Sequence, residues 1–259
     1  MVIGMLILAV GDVVGAGGCD YLLKKLPAFK RHSGVEVCIV NGENSAQGNG
    51  ITPESCEELF DAGADLVTTG NHVYKQRRVY EYLDSSKPVL RPFNYNDSNP
   101  GRGVGVIDKG AYKVGVINLL GNAFLEAAGN PFFAADEALK QLADCRIIIV
   151  DIHAEATSEK SALGFYLDGR VTAVVGTHTH VQTADERLLP GGTAYITDLG
   201  MTGAADSVLG IRPELAIEKF KYLMPVRFDA AQGEHRACGV LIEADKSTGK
   251  ALGIERVVF

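Results

Sequence analysis

Five short apolar runs constrain the fold of this chain more than any other feature: residues 6–10 (LILAV), 35–40 (VEVCIV), 65–69 (DLVTT), 147–151 (IIIVD) and 171–176 (VTAVVG). Stretches with helical apolar spacing accompany them, at residues 19–32, 53–62, 74–83, 134–143 and 157–167. Apolar runs of this length alternating with amphipathic helices are the signature of βαβ units around a mainly parallel sheet. The helix at 53–62 carries its own start signal, with Thr52 as the cap and Pro53 in the first helical position. Two further pairs, 103–107 with 113–118 and 238–244 with 252–258, flank turn-forming segments at 109–110 and 246–249. They read as antiparallel hairpins that add a second or mixed sheet. The chain shows no repeat, low-complexity tract or linker, and NPGRG at 99–103 reads as an internal loop. The expectation is one α/β domain over residues 1–259, arranged as a compact α/β/β/α unit.

A chain of 259 residues with 46% apolar side chains buries a sizeable core. Its 25 basic and 32 acidic side chains leave a net charge of -7, which repels a phosphate backbone, so no stable binding of a nucleic-acid duplex is expected. A small phosphate ester at a metal site is not excluded. Five scattered cysteines, Cys19, Cys38, Cys56, Cys145 and Cys238, form no C-x-x-C pair and suit a reducing cytoplasm. The apolar start, MVIGMLILAV, has no basic leader and is too short to span a bilayer, so no membrane partner is expected. The β-like run begins at Met5, which leaves Met1 and Met5 as alternative starts.

In open α/β sheets, ligands sit beyond the carboxyl ends of the strands. Here those ends share one chemistry. Asp12 follows the first run, Glu43 and Asn44 the second, Asn71 and His72 the third, His153 the fourth, and His178 and His180 the fifth. Singly, each has an ordinary structural reading: Asp12 as a turn or cap residue, His153 as a hydrogen-bonded core histidine, Asn71 and His72 as a capped turn. In extended chain, the two-residue spacing of His178 and His180 points both rings the same way. One buried dinuclear metal site accounts for all five strand ends together. Its mixture of imidazole, carboxylate and amide suits manganese, iron or zinc. No cysteine follows a strand end, so thiolate ligation is not expected. A phosphate loop and a nucleophile elbow are absent, and GNGITP at 48–53 breaks the dinucleotide fingerprint at its last glycine.

With those residues identified, the sequence resembles the calcineurin-like metallophosphoesterases, and within them the bacterial YmdB-like phosphodiesterases. The resemblance runs nearly end to end. It is carried by GDVVG from Gly11, NGENSA from Asn41, GAD from Gly63, TGNH from Thr69, the pair Arg91-Pro92, DIHAEATSEK from Asp151, GTHTHVQTAD from Gly176 and YITDLGMTG from Tyr195. The wider superfamily usually opens D-x-H and bridges its metals with aspartate, whereas this chain has Val14 and Glu43 at those places. The YmdB-like family shows both changes.

The resemblance implies a calcineurin-like four-layer α/β/β/α sandwich with two mixed β-sheets, and a dinuclear iron or manganese centre, with zinc as a further option. It implies Asp12, Glu43, Asn44 and His180 around one ion, and the shared Glu43 with Asn71, His153 and His178 around the other. Two ions about 3.5 to 4 Å apart can share a bridging hydroxide and clamp phosphoryl oxygens during in-line attack. His72 is the candidate catalytic residue, orienting the phosphate and protonating the leaving oxygen. The implied activity is hydrolysis of 2′,3′-cyclic nucleotides and related small phosphodiesters. The alternatives are a phosphomonoesterase or nucleotidase on the same core, and a regulatory protein linked to RNA metabolism. Glu155, Thr157, Glu159 and Lys160 read either as supports of the ligands or as solvated helix residues, and Arg91 and Arg170 either as phosphate binders or as ion pairs. An even-numbered homo-oligomer, dimer or tetramer, is expected.

Overall fold

The computed structural model describes residues 4–125 and 128–259, so Met1, one of the two candidate starts, lies outside the described residues. In chain order the elements are β1 (Gly4–Val10), β2 (Asp12–Val13), α1 (Gly15–Ser33), β3 (Val37–Asn41), α2 (Pro53–Ala62), β4 (Leu66–Thr68) and α3 (Tyr80–Leu83). They continue with β5 (Val104–Asp108), β6 (Lys113–Leu120), α4 (Pro131–Gln141), β7 (Ile147–His153), α5 (Thr157–Tyr166), β8 (Ala173–Thr177) and β9 (Arg187–Leu188). The chain closes with β10 (Ala194–Ile196), β11 (Met201–Ala204), α6 (Pro213–Tyr222), β12 (His235–Asp245) and β13 (Ala251–Val258).

The five apolar runs do not share one sheet. Among the described residues, one sheet runs β2-β11-β12-β1-β3-β4, with β13 added on β12, and the other runs β5-β6-β7-β8-β10-β9. Both are mixed: β1 is parallel to β3 but antiparallel to β12, and β6 is parallel to β7 but antiparallel to β5. Strand alternation explains why the runs are apolar throughout. Ile7 and Ala9 join Ile39, Val116, Ile149 and Val240 in a core between the sheets. Their neighbours Leu8 and Val10 face the other way, into a second core with Leu22, Leu26 and Leu59 from α1 and α2. A third core sets Val150, Ile152 and Val174 against Ala138 and Leu163 of α4 and α5. Three cores separate four layers, the α/β/β/α order expected.

The start of α2 is as its sequence dictates. Thr52 accepts from the Ser55 amide, Ser55 Oγ accepts from the Thr52 amide, and Pro53 occupies the first turn. The expected helix at 74–83 is mostly not α-helical: Arg77–Val79 is a 3₁₀ turn, and α3 is one turn long. Tyr74 explains this, because its hydroxyl donates to the Pro100 carbonyl while its own carbonyl accepts from the Tyr80 hydroxyl. The apolar spacing there buries Val79 and Leu83 without a continuous helix.

Candidate metal centre

Because the two sheets lie face to face, their strand ends open onto one place. From the first come Asp12 after β1, Glu43 and Asn44 after β3, and Asn71 and His72 after β4; from the second come His153, the last residue of β7, and His178 and His180 after β8. All eight sequence candidates are brought together. Gly70 makes the close approach feasible, since a Cβ there would overlap both Glu43 Oε2 and the His153 ring.

Glu43, 1% exposed, is the hub. Its Oε1 lies 3.1 Å from His153 Nε2, 3.1 Å from Asn44 Nδ2 and 3.4 Å from His72 Nδ1, and its Oε2 accepts from the His72 amide at 3.2 Å. Two groups flank it. On one side Asn44 Nδ2 is 3.4 Å from Asp12 Oδ1 and 3.2 Å from His180 Nε2. On the other, His153 Nε2 is 3.1 Å from both Asn71 Oδ1 and His178 Nδ1. The ligand-type atoms of Glu43, His153 and His178 lie within 4.8 Å of one another, a grouping that could hold a metal ion.

His178 and His180 are not in extended chain. β8 ends at Thr177, and both histidines take left-handed backbone, with φ of 103° and 64°. The turns send the rings apart, His178 toward His153 and His180 toward Asp12, 3.7 Å away. Left-handed backbone at a residue with a Cβ costs of order 1–3 kcal/mol and persists only when its surroundings fix it. Here Asp12 and Asp198 supply the fixing: Asp12 Oδ2 accepts from the His178 amide at 3.1 Å, and the Asp198 carboxylate accepts from the Thr179 amide between the histidines, from the Gly200 amide, and from Lys160 Nζ at 2.8 Å. Lys160 and Asp198 are both fully buried.

The electrostatics fit a cation. Burial would raise the Glu43 carboxyl, but His153 and His72 more than offset it and hold it well below its ordinary range. Burial raises Asp12 and outweighs the two nearby imidazoles. Burial disfavours charge on His153, yet Glu43 prevails and lifts it to about 9, while burial and then that cationic neighbour push His178 down to about 4. A cation offers the buried carboxylates what the His153 proton otherwise supplies. Asn44 fits as well: a half-turn of its amide exchanges Nδ2 and Oδ1, turning an acceptor toward Asp12, Glu43 and His180 and a donor toward His72 Nδ1.

Behind His153 runs a buried relay that the sequence reading did not single out. His153 Nδ1 is 2.9 Å from Thr177 Oγ1, which donates to Asp151 Oδ1 at 2.7 Å, and Asp151 Oδ2 accepts from Thr68 and Asn41. Asn41 and Asp151 stand at the same strand ends as the candidates, so the signal was present. Asp198 was hidden because β10, whose end it follows, is three residues long. Of the uncertain residues, Glu155 is half exposed and 2.9 Å from His178 Nε2. Glu159 accepts from the Asn122 and Ala123 amides. Thr157 opens α5, but the cap position, Ala156, has no side-chain cap. Arg170 pairs with Asp136 at the surface, and Arg91 is buried against the Pro92 and Phe93 carbonyls.

A four-layer sandwich with carboxylate, amide and imidazole groups meeting at the strand ends of both sheets is the calcineurin-like architecture. Within that class, the YmdB-like family matches residues 8–257, and the chain belongs to it. A 2′,3′-cyclic-nucleotide 2′-phosphodiesterase from Bacillus subtilis is 46% identical over 256 residues, covering 98% of this chain and 97% of that protein. A crystal structure of a hypothetical protein from Thermus thermophilus is 38% identical, with a TM-score of 0.93 over 98% of this chain and 99% of that one. A crystal structure described as a novel phosphatase from Mycoplasma pneumoniae is 35% identical, with a TM-score of 0.93 over all of this chain and 94% of that one.

Proposed function

We propose that this chain is a metal-dependent phosphodiesterase that opens 2′,3′-cyclic nucleotides to nucleoside monophosphates. The observation that carries the reading is the position of Glu43 between two groups of ligand-type atoms, Asp12, Asn44 and His180 on one side, Asn71, His153 and His178 on the other. The similarity to the Bacillus phosphodiesterase supports the substrate class. Each group with Glu43 would hold one ion, iron or manganese by the hardness of the donors, with zinc also compatible. When bound, such ions neutralise phosphoryl oxygens and lower the pKa of the attacking water.

The chain's own residues supply orientation and protons. The relay from His153 Nδ1 through Thr177 to Asp151 fixes that ring, leaving Nε2 for the ion. The Asn44 side-chain amide, 2.9 Å from His72 Nδ1, sets that ring and leaves Nε2 to face the substrate. From there His72 protonates the departing oxygen.

Both sheets contribute ligands, so the site acts as part of one domain over residues 1–259. Among the described residues all five cysteines are free and buried, which supports a reducing cytoplasm, and no helix is long and apolar enough to cross a membrane. An even-numbered homo-oligomer is the assembly we expect.

The test compares turnover of 2′,3′-cyclic AMP with that of simple phosphomonoesters after chelator stripping and manganese reconstitution, alongside metal analysis. Two ions per chain and preference for the cyclic diester are expected. Preference for monoesters would overturn the substrate class, and absence of metal after reconstitution would overturn the site.

A further inference from the structure

A cavity of about 290 Å³ shares a wall with the metal centre. Its lining includes His180 together with Val181, Gln182, Leu209, Arg236 and Val258. A larger cavity, about 590 Å³, is bounded by side chains between residues 94 and 99 and by 128 and 129, and includes none of the eight site residues. The smaller one therefore has the direct connection. Its partition is the His180 ring, which turns Nε2 to Asp12 and Asn44 and lies with Nδ1 3.2 Å from the Leu209 carbonyl. Leu209 is itself in left-handed backbone, with φ of 55°.

The rest of the lining does not resemble the metal centre. Val181, Leu209 and Val258 are 59%, 46% and 57% exposed, so the mouth is apolar surface left to water beside a strongly polar site. Opposing that surface chemically are the exposed guanidinium of Arg236 and the amide of Gln182, whose Nε2 donates to the Gly239 carbonyl and whose Oε1 remains an acceptor. Apolar contacts with a planar cation and a fixed acceptor are what a flat, polar-edged heterocycle requires. The volume is near the lower limit of about 300 Å³ for small-molecule pockets, room for one nucleoside and not for an oligonucleotide.

We propose that this cavity is the nucleoside subsite. The base lies against Val181, Leu209 and Val258 with the Arg236 plane over it, and the ribose cyclic phosphate passes His180 to reach the metal centre. This assignment rests on the phosphodiesterase reading and adds to it where the base is bound.

The test uses the metal-loaded protein, with two substrates that differ only in the base: 2′,3′-cyclic AMP and ribose 2,3-cyclic phosphate. For Arg236→Ala, and separately for Leu209→Gly, which removes the side chain where glycine is unstrained, the ratio of kcat/KM for the nucleotide over the ribose compound falls about tenfold. The fall comes mostly through KM, with metal content per chain at the wild-type value. Calorimetric binding of adenosine weakens about tenfold in the same variants, and Arg236→Lys does not restore it, because an ammonium lacks the stacking plane. Unchanged ratios and unchanged adenosine binding would overturn the subsite. Wild-type protein that turned over neither cyclic phosphate but bound adenosine in an Arg236-dependent way would overturn the phosphodiesterase reading while keeping the cavity's assignment to a nucleoside.

Discussion

The sheet built on β1, β3 and β4 brings carboxylates, side-chain amides and the single imidazole of His72 to the site from turns, whereas the sheet built on β7 and β8 brings three imidazoles, two of them from left-handed backbone. The difference lies in what holds each side. Glu43 is set by local backbone: its amide donates to Asn41 Oδ1, and the Gly42 amide donates to the Thr68 carbonyl of the neighbouring strand. His178 and His180 are set from across the fold, by Asp12 on the His178 amide and by a buried ion pair between α5 and the end of β10 that holds the Thr179 amide between them. Site residues fixed by backbone should respond to substitution of the residue itself. Site residues fixed by a clamp should respond also to substitutions outside the site.

The largest effect is expected at the hub. Glu43→Gln leaves both groups without their shared carboxylate, so both ions are lost together and kcat falls by more than the roughly 10² to 10⁴ contributed by a proton donor. Metal analysis alongside turnover of 2′,3′-cyclic AMP checks it, and retention of two ions would break the picture of one carboxylate serving both sides. Next comes His72→Ala, predicted to lower kcat about 10²- to 10⁴-fold while both ions stay bound. Loss of metal in that variant would place His72 among the ligands.

The clamp should give a smaller, one-sided effect. Lys160→Met leaves Asp198 buried without its cation, a defect of about 3 to 5 kcal/mol in stability, measurable as a lower denaturant midpoint. The variant that still folds should hold metal about 10- to 100-fold more weakly, as expected when a partner outside the ligand set is lost. Titration with manganese followed by electron paramagnetic resonance reads this directly. A purely structural ion pair would lower stability and leave manganese affinity as in the wild type.

That clamp also marks where sequence reasoning stops. The runs at 6–10, 35–40, 65–69, 147–151 and 171–176 all contain or overlap strands, and the strand-end rule picked out Glu43 and the seven residues that gather around it, because apolar continuity and side-chain chemistry are local signals. The division of those strands between two sheets was not local: β12 enters beside β1 from more than 200 residues away. Thr-His-Thr-His reads as continuing strand, since threonine is β-branched and nothing nearby announces a left-handed turn. The turn depends on Asp198, and Asp198 on Lys160, 38 positions apart, in a helix where a lysine ordinarily reads as solvated. Helix α6 escaped for the opposite reason: Ala216 is the residue it buries, so Ile217 and Phe220 lie exposed and its apolar pattern answers to no core.

The smallest effect should fall on Glu155. It touches the same imidazole side, 2.9 Å from His178 Nε2, but it is half exposed where Asp198 is fully buried. Water screens a charge so placed, and exposed pairs contribute about 0 to 1 kcal/mol. Glu155→Gln keeps an acceptor for the His178 ring and removes only the charge, so manganese affinity should change by less than about fivefold. If Glu155→Gln instead cost as much as Lys160→Met, then direct contact with the His178 ring, and not burial of the clamp beneath it, would be what fixes the imidazole side.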